Sequence, residues 1–274
     1  SAAIAAHLAQ FCKKVDLLTM IGERGEFLSE LKKKLPKNVF LTTIKKNNSP
    51  TIVKKRYIDF ISKNKVLGVY KINDDPLSLQ QEKDLQNKFE KIQNKNDLIV
   101  VSDYGHGFIS NNFAKTLSKS KKFKAVNTQI NANNMGHHSL TKYESLNCVI
   151  INEKELRHEL RDKNCEIRSL VKAFAKKQNI KDLVLTRGAK GAILYSKNSN
   201  IFYESAALAG KVVDKVGSGD TMLSIVALCL NEKADKNLSL LLGSLAAADA
   251  VQNFGNKKSL KKIELLKSIQ YILK

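Results

Sequence analysis

The chain contains no tryptophan, only 3 prolines and only 4 cysteines in 274 residues. So few prolines exclude a polyproline rod or a proline-rich linker as a main element. The cysteines, Cys12, Cys148, Cys165 and Cys229, stand at no metal-ligand spacing, which argues against a zinc module or a disulfide scaffold. Arginine is scarce as well: Arg24, Arg56, Arg157, Arg161, Arg168 and Arg187 are all there are. No run of about 18 uncharged apolar residues occurs, so no transmembrane helix is expected. Ser1–Leu8 lacks a basic stretch ahead of its alanines and does not read as a signal peptide. Together these absences lead to the expectation of a reducing, cytoplasmic setting.

What is present is a globular composition, 43% hydrophobic and 27% charged, at a length suited to one large domain. The formal charge of +21 admits a nucleic-acid-binding module as one function class. Lysine carries most of that charge, however, and arginine is the residue suited to bidentate phosphate and base contacts. The lysines are also spread along the chain beside Asn and Ile, as at Lys45–Ser49 and Lys197–Asn200. That pattern reads as compositional bias, and nucleic acid is the less favoured partner.

Hydrophobic periodicity alternates strands with helices. Val15–Ile21 predicts a buried strand and Glu26–Leu35 a helix. Val39–Thr43, Thr51–Ile61 and Lys65–Ile72 then follow with turn signals but no helix between them, which predicts an inserted antiparallel flap at about 38–73. Further helices are expected over Gln80–Ile92, Asn111–Lys119 and Glu166–Gln178. Strands are expected over Leu98–Ser102, Lys124–Asn127, Cys148–Ile151, Leu183–Thr186 and Ala192–Tyr195, with a tight turn at Gly188/Gly191. Three helices close the chain: Asp220–Leu230, Asn237–Gln252 and Leu260–Leu273. Such repetition predicts an α/β fold whose mostly parallel sheet is covered on both faces. Ala2–Phe11 is already helical, so the sheet's expected first strand is missing from the sequence.

The most informative stretch is Val212–Thr221, an apolar strand running into Gly217–Ser218–Gly219–Asp220 and opening the apolar helix Met222–Leu230. Glycines bring bare backbone N–H groups together at a helix N-terminus, which forms an anion site. An acid in the first turn is placed to take a proton from an attacking hydroxyl; equally, Asp220 could serve only as a helix cap.

These residues resemble the C-terminal signature of the PfkB (ribokinase-like) family of sugar kinases, Asp-Thr-x-Gly-Ala-Gly-Asp followed by Thr and an apolar helix. Other motifs fall in the family's order. Ser102–Gly107 is similar to its Ser-Asp-Tyr-x-Lys-Gly, and Asn152–Glu155 to its Asn-x-x-Glu. Leu185–Gly188 with Lys190–Ala192 is similar to its nucleotide segment. Ser49–Thr51 through Lys54–Tyr57 resembles the lid strand of the heptose-phosphate kinase branch.

The resemblance implies a ribokinase-like three-layer α/β/α sandwich, one kinase domain over residues 1–274, with the flap as a substrate lid. It implies ATP and Mg²⁺ as cofactors and a sugar or sugar phosphate as the acceptor. Asp220 would be the general base, and the amides of Gly217, Ser218 and Gly219 the anion hole. Asn152 and Glu155 would position Mg²⁺ through water. Thr186 and Gly188 would meet the nucleotide phosphates and ribose, Asn253 and Gly255 would border the adenine, and Lys215 would add a phosphate contact or crowd the loop. Lys54 and Arg56 would meet a phosphate on the sugar or face solvent. Asp103, Asn127 and Gln129 complete the expected substrate residues, the amides because they offer hydroxyl-rich ligands both donor and acceptor. A homodimer through the lid, and fusion to or pairing with a nucleotidyltransferase, are the implied partners. The sequence departs from the family at Lys215 and Val216, where small or Thr residues are usual. It also departs at His106, which stands in the place of Lys, and in the amide-rich Asn127–Asn134. A catalytically inactive relative that binds nucleotide or sugar is the alternative within the same fold.

Overall fold

The computed structural model describes residues 1–61, 64–130, 134, 136, 138–252 and 259–272. Its helices are α1 (Ala2–Leu8), α2 (Leu28–Lys34), α3 (Leu79–Gln93), α4 (Asn111–Lys119), α5 (Glu153–Leu160), α6 (Ile167–Lys177), α7 (Ser218–Asn231), α8 (Lys236–Ala250) and α9 (Lys262–Ile272). Its strands are β1 (Val15–Gly22), β2 (Val39–Lys46), β3 (Val53–Ile58), β4 (Lys65–Lys71), β5 (Leu98–Asp103), β6 (Phe123–Thr128), β7 (Cys148–Asn152), β8 (Asp182–Thr186), β9 (Ala192–Ser196) and β10 (Ile201–Ser205).

The main sheet has the order β10-β9-β8-β7-β6-β5, parallel from β5 to β8 and antiparallel at β9 and β10. The middle residues of its central strands are mostly apolar, and their alternation divides them between two cores. Val126, Val149, Ile151, Leu183 and Leu185 pack with Phe89, Phe113, Leu156 and Phe174 of α3 to α6. Ala125, Cys148, Ile150, Val184 and Leu194 pack with Ile4, Leu8, Met222, Leu223 and Val226 of α1 and α7 and with Leu240 of α8. Burial of each such aliphatic side chain contributes about 1.5–3 kcal/mol, so both layers are held firmly to the sheet. The result is the expected three-layer α/β/α sandwich.

Several local readings are corrected. The strand at Val39–Thr43 does not belong to the flap: β2 pairs in parallel with β1, Val15 opposite Val39 and Gly22 opposite Lys46. The antiparallel ribbon consists of β3 and β4 alone. The physical reason is burial, since the Ile44 side chain joins the main core while most of β3 and β4 is exposed. Val212–Val213 forms no strand; the Val213 and Asp214 amides both donate to the Val251 carbonyl (2.8 and 3.1 Å) and tie the segment to the end of α8. Lys197–Asn200 turns β9 back into β10, a strand not anticipated from its polar surroundings.

Among the described strands, β1–β2 is a separate two-stranded sheet. Every residue of Val15–Met20 and of Leu98–Asp103 lines a cavity of about 1210 Å³ between the two sheets. Two unpaired parallel edges thus face one another, an arrangement that a further parallel strand would satisfy. No described helix is long and apolar enough to cross a membrane.

Candidate active site

Parallel strands end together, so side chains at their carboxyl ends gather along one rim of the sheet, where open α/β sheets bind ligands. Here Asp103 lies opposite Thr128, and Asn152 opposite Thr186. The N-terminus of α7 meets this rim because its apolar face, Met222, Leu223 and Val226, packs on the strands.

Gly217 precedes α7 in the left-handed region, φ 94°, a conformation that favours glycine. The chain can therefore turn sharply from the exposed Lys215 and Val216 into the helix. The Thr221 hydroxyl donates to the Gly217 carbonyl (2.9 Å) and the Ser218 hydroxyl to that of Lys215 (3.1 Å), which holds the turn. First-turn amides have no partner within a helix, and open space lies where a side chain on Gly219 would project. His7 locks this end from behind. Its Nδ1 accepts from the Leu260 amide (3.0 Å), so its Nε2 carries the proton and donates to Thr221 Oγ1 (3.3 Å). Burial pushes the His7 pKa down to about 4.

Asp220 stands in the first turn of α7. The Tyr104 hydroxyl donates to its two oxygens at 3.1 and 3.2 Å. Burial raises the Asp220 carboxyl above the ordinary aspartate value, opposed by the Tyr104 hydrogen bond. Burial and the Asp220 charge in turn push the Tyr104 phenol well up, so it remains a donor. A carboxylate of raised basicity, oriented by a neutral donor beside a helix N-terminus, can accept a proton where negative charge develops.

The other expected residues divide. Lys54 reaches the site from β3, its ammonium 5.8 Å from the centroid of the Tyr104 ring, whereas Arg56 is exposed on the ribbon. Asp103, at the cavity's edge, is tied to neighbouring side chains. It is 4% exposed, accepts from Tyr143 Oη (2.7 Å) and the Gly105 amide (3.0 Å), and pairs with Lys142 Nζ (2.6 Å). Burial alone would raise its carboxyl; Lys142, His138 and these hydrogen bonds outweigh it and hold the group below its ordinary value. Asn127 donates its amide to the Ile150 carbonyl (2.7 Å), bracing β6 against β7, while Gln129 is exposed. Gly188 is in the left-handed region at φ 59°, opening the turn after Thr186. Asn253 and Gly255 lie outside the described residues.

Asn152 and Glu155 form a capping box at the start of α5. Asn152 Oδ1 accepts from the Glu155 amide (2.8 Å), and Glu155 accepts from the Asn152 amide (3.1 Å) and the Ile130 amide (3.3 Å). Burial raises the Glu155 carboxyl. With these oxygens committed, and no group of three His, Cys, Asp or Glu able to hold an ion among the described residues, the pair does not fit as direct metal ligands. Magnesium retains several waters in such sites, and contact through water is what the donor set allows.

Tyr104 was missed as a site residue, although it lies inside the Ser102–Gly107 motif; only the packing of α7 brings its hydroxyl to Asp220. The Lys142–Tyr143 pair that neutralises Asp103 carried no sequence signal at all.

The pattern of the family described as "pfkB family carbohydrate kinase" matches residues 2–263. The bifunctional protein HldE of Aliarcobacter butzleri is 25% identical over 248 residues, which cover 88% of this chain and 50% of that protein. HldE of Campylobacter fetus is 28% identical over 190 residues, 68% of this chain and 40% of that protein. The chain thus spans half or less of these two relatives. Among solved structures, phosphofructokinase-2 of Escherichia coli superposes with a TM-score of 0.80 at 18% identity, covering 99% of this chain and 86% of that one. The ribokinase of Arabidopsis thaliana, solved with ribose and ATP, gives a TM-score of 0.71 at 19% identity, covering 97% and 85%.

Proposed function

The chain belongs to the pfkB family of carbohydrate kinases, and from that premise we propose that it transfers the γ-phosphoryl group of ATP to a hydroxyl of a sugar or sugar phosphate. The observation that carries the reading is Asp220, a half-buried carboxyl oriented by Tyr104 in the first turn of α7. Asp220 takes the proton of the acceptor hydroxyl, whose oxygen attacks the phosphorus as ADP leaves. The amides of Gly217, Ser218 and Gly219 meet charge developing on the transferring group. Such transfer depends mainly on positioning and charge neutralisation, which a sparse set of residues can supply.

Thr186, Gly188 and the exposed Lys215 would meet the nucleotide, with Asn253 and Gly255 at the adenine. Lys54 and Arg56 would reach the acceptor from the β3–β4 lid. Mg²⁺, when bound, would neutralise the phosphates, held through water by Asn152 and Glu155. The lid carries exposed Tyr57, Phe60, Ile61, Val66 and Leu67, with Phe60 84% and Ile61 90% exposed. An apolar ribbon of this kind supports a second copy of the chain as its partner. The bifunctional name of the HldE relatives supports a fused or paired nucleotidyltransferase.

The test is ADP release over a panel of free and phosphorylated pentoses, hexoses and heptoses. ATP- and sugar-dependent turnover that Asp220→Asn abolishes is expected; ATP binding without turnover on any acceptor would refute the catalytic reading.

A further inference from the structure

We propose that Lys142 is a positioning residue: its ion pair with Asp103 holds the loop that carries Tyr104, and so keeps the Tyr104 hydroxyl on Asp220. The inference deepens the kinase reading above, on which the importance of Asp220 rests, and its spectroscopic arm needs no turnover.

Asp103 and Tyr104 line the cavity, whereas Lys142 and Tyr143 stand behind its wall. The backbone on either side of Tyr104 is held by hydrogen bonds from distant segments. The Asp103 carbonyl accepts from the Gln129 amide (2.9 Å) and from His138 Nε2 (3.2 Å). The Tyr104 carbonyl accepts from Asn134 Nδ2 (3.0 Å), and the Gly105 amide donates to Asp103 Oδ1 (3.0 Å). Gly105 is in the left-handed region at φ 68°, and a Cβ there would lie 2.5 Å from Asn134 Nδ2. The loop therefore has little freedom, and it aims the Tyr104 side chain at Asp220, 116 residues further along the chain.

The Asp103 carboxylate is the centre of the arrangement. One oxygen takes the Gly105 amide; the other takes Tyr143 Oη (2.7 Å) and pairs with Lys142 Nζ (2.6 Å). A buried carboxylate without a counter-charge is costly, and it protonates or draws towards water. His138 Nε2 lies 3.9 Å from Asp103 Oδ1, but burial lowers the ring's pKa and disfavours a full charge there. Compensation thus falls to Lys142. Its ammonium also donates to the Ile109 carbonyl (2.7 Å), so one side chain staples both ends of the 103–109 segment. From behind the cavity wall, Lys142 acts on Asp220 through Asp103 and Tyr104.

The experiment follows the Tyr104 ring by carbon NMR with labelled tyrosine, its Cζ signal assigned by its loss in Tyr104→Phe. Asp220→Asn should shift that signal when the rest of the chain is unaltered. In Lys142→Met the same replacement should shift it by less than about half as much. ADP release over the sugar panel gives the second reading. Lys142→Met should lower kcat about tenfold, with KM for ATP within about twofold. In a Tyr104→Phe background it should lower kcat by less than about twofold, because the contact it supports is already gone. A merely structural role would lower kcat equally in both backgrounds. Should Lys142→Met not fold, Lys142→Gln removes the charge, keeps a donor and is judged by the same two readings. An undiminished response of Tyr104 to Asp220→Asn, or equal losses in the two backgrounds, would overturn the inference. A diminished response in a protein that transfers no phosphoryl group would refute the catalytic reading and leave this inference standing.

Discussion

Replacing Asp220 by Asn removes a base while keeping shape. The amide preserves the side-chain volume, and its oxygen still accepts from the Tyr104 hydroxyl, which reaches Asp220 at 3.1 and 3.2 Å. Burial already disfavours the charged form, so loss of the charge should cost little: stability should change by no more than about 1 kcal/mol. For a chain of this length, that corresponds to a shift of roughly 2–4 °C in Tm. The chemical step should suffer far more. General-base catalysis contributes about 10²–10⁴-fold, or roughly 3–5 kcal/mol at 1.36 kcal/mol per decade. Steady-state ADP release gives kcat, calorimetry the Kd for ATP, and thermal unfolding the Tm. The expected pattern is kcat lowered at least 10²-fold, with ATP affinity within about twofold and Tm nearly unchanged. A variant retaining kcat within about threefold would refute the proton-transfer role. Parallel losses of kcat, ATP binding and Tm would make Asp220 a structural cap.

Three further outcomes follow from the same geometry. Because burial raises the Asp220 carboxyl, the acidic limb of kcat/KM should lie above the ordinary aspartate value. Tyr104→Phe deletes a hydrogen bond that lowers that pKa, so the limb should move to higher pH; a limb that stays put in the variant would sink this reading of Tyr104. His7 is depressed to about 4 in the folded chain from an ordinary 6.5. The unfolded state therefore binds the proton first, and stability should fall by about 3 kcal/mol as pH drops from 6.5 towards 4. Urea unfolding across that range measures the loss, and His7→Gln should flatten it; an equal slope in both proteins would exclude His7 as its source. Phe60→Glu places a charge on the exposed apolar lid and should convert a dimer to a monomer by sedimentation velocity, whereas an unaltered mass would remove the lid from the interface.

Much of the architecture was legible because buried parallel strands carry short runs of consecutive apolar residues. Cys148–Ile151 and Leu183–Thr186 could be recognised from composition alone, and Asn111–Lys119 from helical spacing. Val39–Thr43 was misassigned for the same reason: a strand's composition records its burial, not its partner, and β2 pairs with β1 through backbone groups common to all residues. The glycine turn and Asp220 could be read locally because a helix N-terminus is built from consecutive residues. Asp103 could not be read in this way. Its motif suggested a substrate contact, and its partners Lys142 and Tyr143 lie about forty residues away in the chain.

Local residue order by itself determined the alternating elements, the two-faced sheet and the glycine turn that opens α7, because each depends on periodicity or on neighbours within one turn of helix. Tertiary structure alone decided which groups meet. It brought Tyr104 to Asp220, set His106 between Asp74 and the cavity, and paired β2 with β1. These are encounters between segments distant in sequence, created by the packing of helices onto a sheet.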